Sequence, residues 1–188
     1  MPALLLGPDD YRTMPWANGR GSTLEYIAET HDGGLLWRVS KARVVEDGPF
    51  SRLPGIDRTI MLVSGPGFCL DFEGEASMDV RQRFDPVSFS GDWQASASGV
   101  AAPCQDLNVM TRRGLATASV TVHRSSAQTI LADRSFFIAW EGHWSLGTST
   151  GRKDAAPGQS LFIRDEAGGR ADIRGTGLLI EVAIRIVL

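Results

Sequence analysis

Apolar residues fall in short runs broken by clusters of Gly, Pro, Asp and Ser, and nowhere do they recur at the i, i+3, i+4, i+7 spacing of a long amphipathic helix. The runs predict strands over residues 23–29, 35–45, 59–63, 67–72, 78–84, 87–89, 106–111, 117–123, 128–132, 135–141, 143–147, 159–163 and 177–187. A single helical turn fits near 8–11 or 54–57. Many short strands at regular turn spacing indicate an all-β sandwich or barrel. The 21 Gly and 9 Pro supply the tight turns this needs.

Two stretches share one plan. "RTIMLVSGPGFCLDF" is an apolar strand, a turn and an alternating strand, and "SFFIAWEGHWSLGTS" repeats it downstream. Each is followed by a proline and a short apolar strand, "DPVSFSGD" in the first half and "APGQSLFIRD" in the second. A glycine turn, a proline corner and a returning strand make a cupin-like rhythm, and its recurrence points to duplication. The expected organisation is two related β units in one chain, each a sandwich or barrel. The first would span residues 1–115 and the second 116–188, with strands exchanged across the boundary so that the whole forms one compact unit.

Composition narrows the function classes. The 188 residues are 43% hydrophobic and 22% charged, enough for a core without staples. A formal net charge of −3 gives no overall basic field for nucleic acid. No stretch approaches the roughly 20 apolar residues that span a bilayer. The N-terminus lacks the basic and long apolar regions of a signal peptide. Cys69 and Cys104 have no metal-ligand spacing and fit a reducing compartment as free thiols. A cytoplasmic protein with no membrane or nucleic-acid partner is expected.

The chemistry-bearing residues point to binding. His31, His123 and His143 are far apart in sequence, and a barrel metal site draws ligands from alternate positions of one strand. They read as surface or turn histidines, so no metal and no cofactor is expected. No Gly-x-Ser-x-Gly elbow occurs, and no catalytic residue is assigned. In "WRVSKAR", alternation puts Arg38 and Ser40 on one face and Trp37, Val39 and Lys41 on the other. In "DLNVMTRR", Asp106, Asn108, Met110 and Arg112 share a face. Facing solvent, Arg38 and Ser40 carry no function, and Asp106 and Arg112 can pair with other protein charges; facing a barrel lumen, such mixed polar faces line a ligand cavity, and a confined guanidinium calls for a carboxylate from the protein or a ligand. In "PGIDRTIML", Arg58 lies on the side of Ile60 and Leu62, where a cation either snorkels to the rim or is paired. Asp57 lies opposite and is expected to tie down the Pro-Gly corner through backbone N–H groups. Asn18-Gly19 is a strong turn signal, and with Trp16 just before it this loop either packs as a hairpin or shapes a pocket mouth.

Five ordered motifs carry a resemblance. "WANGRGSTLE", "WRVS", "DGPFSRLPGIDR", "FSGD" and "DLNVM" stand in this order between Trp16 and Arg113 and closely resemble the HutD/Ves family. Lys41 departs from the pattern, where an apolar residue is expected. The resemblance implies a bicupin, two antiparallel β-barrels in one chain, without the cupin metal ligands. It also implies a regulatory or accessory role in histidine utilisation or stress response. The resulting expectation is a metal-independent protein that binds a small carboxylate, a formylglutamate-like intermediate among the candidates. Arg38 is the main clamp and Arg58 or Arg112 the second. Ser40 and Asn108 provide neutral hydrogen bonds, and Trp16 and Asn18 shape the mouth. The alternatives are a metal-free isomerase or hydrolase, with Glu25, Asp47 or Asp106 as base, and an interaction scaffold with vestigial pockets. A homodimer is compatible with this architecture, since cupins pair through sheet edges or faces.

Overall fold

A computed structural model describes residues 3–16 and 22–187. Among the described residues seventeen strands run in the order β1 Leu4–Leu6, β2 Arg12–Pro15, β3 Ser22–His31, β4 Gly34–Val44, β5 Gly48–Pro49, β6 Ile56–Ser64, β7 Phe68–Phe72, β8 Glu75–Val80, β9 Pro86–Ser90, β10 Ala95–Ser98, β11 Cys104–Arg112, β12 Ala116–Ile130, β13 Arg134–Glu141, β14 Trp144–Thr148, β15 Gly151–Ala155, β16 Ser160–Arg164 and β17 Arg170–Ile186. Among the described residues the only helix is a 3-10 turn at Pro8–Asp10. The protein is therefore all-β. No helix of the described residues is long and apolar enough to cross a membrane.

The strands divide into two compact units, one from Met1–Tyr11 with Ala116–Leu188 and the other from Arg12–Leu115. The expected first half begins at residue 1. The first strand, however, pairs with β16 and belongs with the later residues.

The Arg12–Leu115 unit holds a six-stranded sheet in the order β2-β3-β4-β11-β6-β9 and a four-stranded sheet in the order β5-β10-β7-β8. Alternate residues of both sheets meet in one apolar cluster. Ile60, Leu62 and Phe89 come from the larger sheet, and Phe68, Leu70 and Val80 from the smaller. Burying a side chain of this size contributes about 1.5–3 kcal/mol, so this cluster is what holds the sheets together. It occupies only part of the larger sheet's inner face. The rest carries polar residues.

The second unit is one sheet in the order β1-β16-β13-β17-β14-β15, with β12 also on β17. β17 pairs with β12, β13 and β14, so it must bend between partners. Gly177 sits at that bend with φ +123°, and a Cβ there would lie 2.4 Å from the Glu141 carbonyl oxygen. Only glycine fits such a close backbone approach.

In the Arg12–Leu115 unit a corner is held by two separated motifs. The Gly91 N–H donates to the Ile56 carbonyl at 2.7 Å, and the Leu53 N–H donates to the Gly91 carbonyl at 2.8 Å. Asp92 accepts the Gly55 N–H at 2.8 Å. Arg113 donates to Asp57 at 2.7 Å and also to Asp92. The hydrogen bond from Arg113, with that from Gly55, holds the Asp92 carboxyl down at about 2. Asp92, and not Asp57, thus ties down the Pro-Gly corner. Asp57 points from its strand to the Arg113 guanidinium, whereas Asp92 lies beside the free amide of the turn. A Cβ on Gly91 would lie 2.6 Å from both the Leu53 and Ile56 carbonyl oxygens. Gly91→Ala should therefore lower unfolding stability by about 1–3 kcal/mol in denaturant titrations, as overpacking does. An unchanged midpoint would show that the corner can open without cost.

Candidate functional site

Strand periodicity assembles the polar face. On β4, β11 and β6 one rung carries Arg38, Met110 and Arg58, the next Ser40, Asn108 and Ile60, and the third Ala42, Asp106 and Leu62. With a side-chain period of two, these rungs point the same way. Arg38, Met110 and Arg58 of the first rung, Ser40 and Asn108 of the second and Ala42 of the third line a cavity of about 450 Å³ within this unit, a size that suits a small metabolite. Met14, Trp16 and Thr23 line it from one side and the segment from Val44 to Ser51 from another.

Arg58 is only 5% exposed. Its guanidinium carbon lies 5.3 Å from the Phe50 ring centroid and 5.1 Å from that of Phe89, so two aromatic rings hold the cation. One terminal nitrogen donates to the Ser51 carbonyl at 3.3 Å. Its Nε–H has no partner. Burial, with a smaller push from Arg38, lowers its pKa to about 10, while Asp106 opposes the fall. The group stays charged at neutral pH. Arg38 is half-buried and donates to the Met110 sulfur at 3.0 Å, and its Nε–H is also unpartnered. Burial lowers its pKa as well, against the attraction of Glu25.

Asp106 is fully buried, and neither of its oxygens has a hydrogen-bond partner. Burial raises its pKa to about 7, and the charge on Arg58 limits the rise. The Asn108 side-chain oxygen is buried and unpartnered too. Ser40 donates to the Asn108 backbone carbonyl at 3.4 Å. Buried polar atoms normally find partners. Three of these residues, Arg38, Arg58 and Asn108, bring unmet atoms to one hollow and mark it as a place where a guest completes the hydrogen bonding.

Of the residues singled out in the sequence, Arg38, Ser40, Asn108, Arg58 and Trp16 line this cavity. Trp16 is fixed by a hydrogen bond from its indole N–H to the Thr23 hydroxyl at 2.9 Å. Arg112 does not line it. Its side chain packs by Gly34 and donates to the His31 carbonyl at 3.3 Å, because its position on β11 carries it past the cavity to the β3–β4 turn. Asn18 lies outside the described residues. The nominated acids are mostly committed, Glu25 to Arg12 at 3.0 Å and Asp47 to the Val100 N–H at 2.7 Å. Sequence reasoning missed the aromatic support of Arg58. Phe50 sits in the "DGPFS" turn, and only the fold brings it to β6.

The histidines need revision. His123 lies within β12, not on the surface, and its Nε2 is 2.6 Å from Glu181, which also accepts the Thr129 hydroxyl at 2.8 Å. On β12 Thr121 stands opposite Glu181 and His123 opposite Leu179, so His123 reaches the carboxylate diagonally across the pair. Among the described residues no three His, Cys, Asp or Glu side chains gather as a metal would require. Cys69 and Cys104 are both free.

Architecture and cavity define a cupin-like β protein whose pocket presents guanidinium groups. A cupin 2 conserved barrel domain protein from Leptotrichia buccalis shares the fold at a TM-score of 0.54 and 7% identity, over 87% of this chain and 88% of that one. The chain belongs to the HutD family, whose family model matches residues 8–180. That match runs well past the motif-rich stretch into the second unit. "Protein Ves" from Citrobacter koseri is 34% identical over 146 residues, covering 73% of this chain and 74% of that one. An uncharacterized 21.2 kDa protein in the hutC 3' region of Pseudomonas putida is 36% identical over 108 residues; the chain spans only 56% of that relative's length. HutD from Pseudomonas fluorescens SBW25 superposes with a TM-score of 0.83 at 26% identity, over 98% of this chain and all of that one.

Asp106 also makes stability depend on pH. An Asp in the unfolded chain titrates near 4, and this one titrates at about 7 in the fold. Its contribution is whole below about pH 4 and is lost as the pH rises through 7. Asp106→Asn should abolish that decline, gaining up to about 4 kcal/mol over the wild type at pH 8. Parallel denaturant titrations from pH 4 to about 8 check this; profiles of equal slope would contradict it.

Proposed function

We propose that the protein binds a small carboxylate in the cavity of its Arg12–Leu115 unit, without a metal ion, as a regulatory or accessory component of histidine degradation, and that its two units are both cupin-type barrels. One observation carries the reading. Arg38 and Arg58 each keep an unpartnered Nε–H in the same hollow. Glu46 and Asp47 line the same hollow from an exposed segment, and Asp47 already accepts the Val100 N–H, so a carboxylate can complete both guanidiniums in the planar geometry they prefer. Ser40 and Asn108 line the same hollow, where the free Asn108 side-chain oxygen accepts from an N–H of the guest, and Trp16 shapes the mouth. The surroundings agree with this. The P. fluorescens HutD structure was obtained in a formate condition, and the P. putida relative is described by the hutC 3' region. A formylglutamate-like intermediate carries the chemistry this site would recognise.

Binding is favoured over turnover because a general base must reach the proton it removes. Glu25 and Asp47 already hold partners, and Asp106 has no exposed surface.

A charge-assisted hydrogen bond is worth about 1.5–3 kcal/mol. Arg38→Ala should therefore weaken carboxylate binding at least about tenfold in calorimetry while the unfolding midpoint stays near that of the wild type. A thermal-shift screen of mono- and dicarboxylates should give a concentration-dependent rise for the wild type. Equal affinity in the variant would make Arg38 a structural residue.

A further inference from the structure

Asp106 is the one buried acid beside the cavity, and the binding reading leaves it unused. It sits on the third rung, between Ala42 and Leu62, with no exposed surface and no hydrogen bond to either oxygen. It does not line the cavity, so a guest does not touch it. What keeps it ionised is a positive charge nearby, and that charge is Arg58. Arg58 does line the cavity. One guanidinium is thus shared by a buried carboxylate on one side and an open hollow on the other.

We infer that anion binding in the cavity drives a proton onto Asp106, so that this residue sets how affinity depends on pH although it makes no contact with the guest. The inference rests on the carboxylate-binding reading and adds its regulation. A bound anion offsets the charge of Arg58. Asp106 then loses the interaction that compensated its burial, and the neutral acid becomes the favoured form. The proton comes from solvent and forms an O–H bond on an Asp106 oxygen; no other group changes bonding.

The groups around Asp106 leave few competitors for this role. β4 presents Ala42 and Ser40 at the facing rungs, and β6 presents Leu62 and Ile60. The strands of the four-stranded sheet contribute apolar residues to the adjoining core, among them Phe68, Leu70 and Val80. Charged or titratable neighbours are Arg58, Arg38 acting on Arg58, and the Cys104 thiol, which burial and Asp106 push upward; Glu46 and Asp47 line the cavity and Glu25 acts on Arg38, and the comparison with Asp106→Asn separates their proton uptake from that of Asp106. Arg58 remains protonated throughout the neutral range, and so does the thiol. The carboxyl is the group left to take up the proton.

The sign follows from the order of events. Below about pH 7 Asp106 already holds a proton, and affinity for an ionised carboxylate is flat. Above it each complex must acquire one, and affinity falls as the pH rises.

The test titrates the full chain with formate and with glutarate between about pH 6.5 and 8.5, in pairs of buffers with different ionisation enthalpies. The expected result is uptake of close to one proton per bound anion near pH 8, with Kd rising roughly tenfold per pH unit above pH 7. Asp106→Asn should bind without proton uptake and with a flat profile. If that variant does not fold, the proton count on the wild type decides alone. Binding with no proton uptake, or an Asn variant with the wild-type profile, overturns the inference and leaves the carboxylate site standing. No binding of either anion at any pH removes the binding reading and this inference with it.

Discussion

The cavity is organised around a cation that has been taken out of water without a carboxylate in contact. Burying an ion costs several kcal/mol unless something offsets it. For Arg58 the offsets are two phenylalanine rings, a single backbone carbonyl and the field of a buried Asp106. None of these is the bidentate partner that a guanidinium accepts best. The polar face of β4, β11 and β6 therefore reads as a site held ready for an anion. The apolar remainder of the same sheet supplies the stability that lets the site stay unsatisfied.

The corner motif and the site depend on one another through short connections. Asp92 and Arg113 fix the turn that leads into β6, and Arg58 is the third residue of that strand. Phe50 belongs to the segment just before this turn, and Phe89 to β9, which pairs with β6 directly. A motif whose chemistry looked like a surface ion pair thus positions the cation and its aromatic supports. This gives the ordered motifs a common physical purpose: those that do not face the cavity hold the strands that do.

Much of the fold was legible because burial imposes a period of two on half-buried strands. The alternation in "WRVSKA" and "DLNVM" placed Arg38, Ser40 and Asn108 on shared faces. Strands without apolar alternation escaped notice: β10 is Ala95–Ser98, and β15 is Gly151–Ala155, four of whose five residues are exposed. β12 looked like two pieces, residues 117–123 and 128–132, and only residues 177–187 of β17 were legible, because bulges and glycines interrupt their patterns, yet each strand runs unbroken past the interruption. Arg112 was grouped with the site by parity alone. Parity fixes the face of a strand but not how far along it a cavity extends. The pairing of His123 with Glu181 could not be seen either, since residues 58 apart in sequence meet only through sheet register.

The most direct measurement is of the two Nε–H groups themselves. In nitrogen-15 NMR spectra of the protein, added formate or glutarate should shift the Nε–H resonances of both Arg38 and Arg58 saturably and along one binding curve. Resonances of both residues that stay in place while either anion is raised to high concentration would contradict the account.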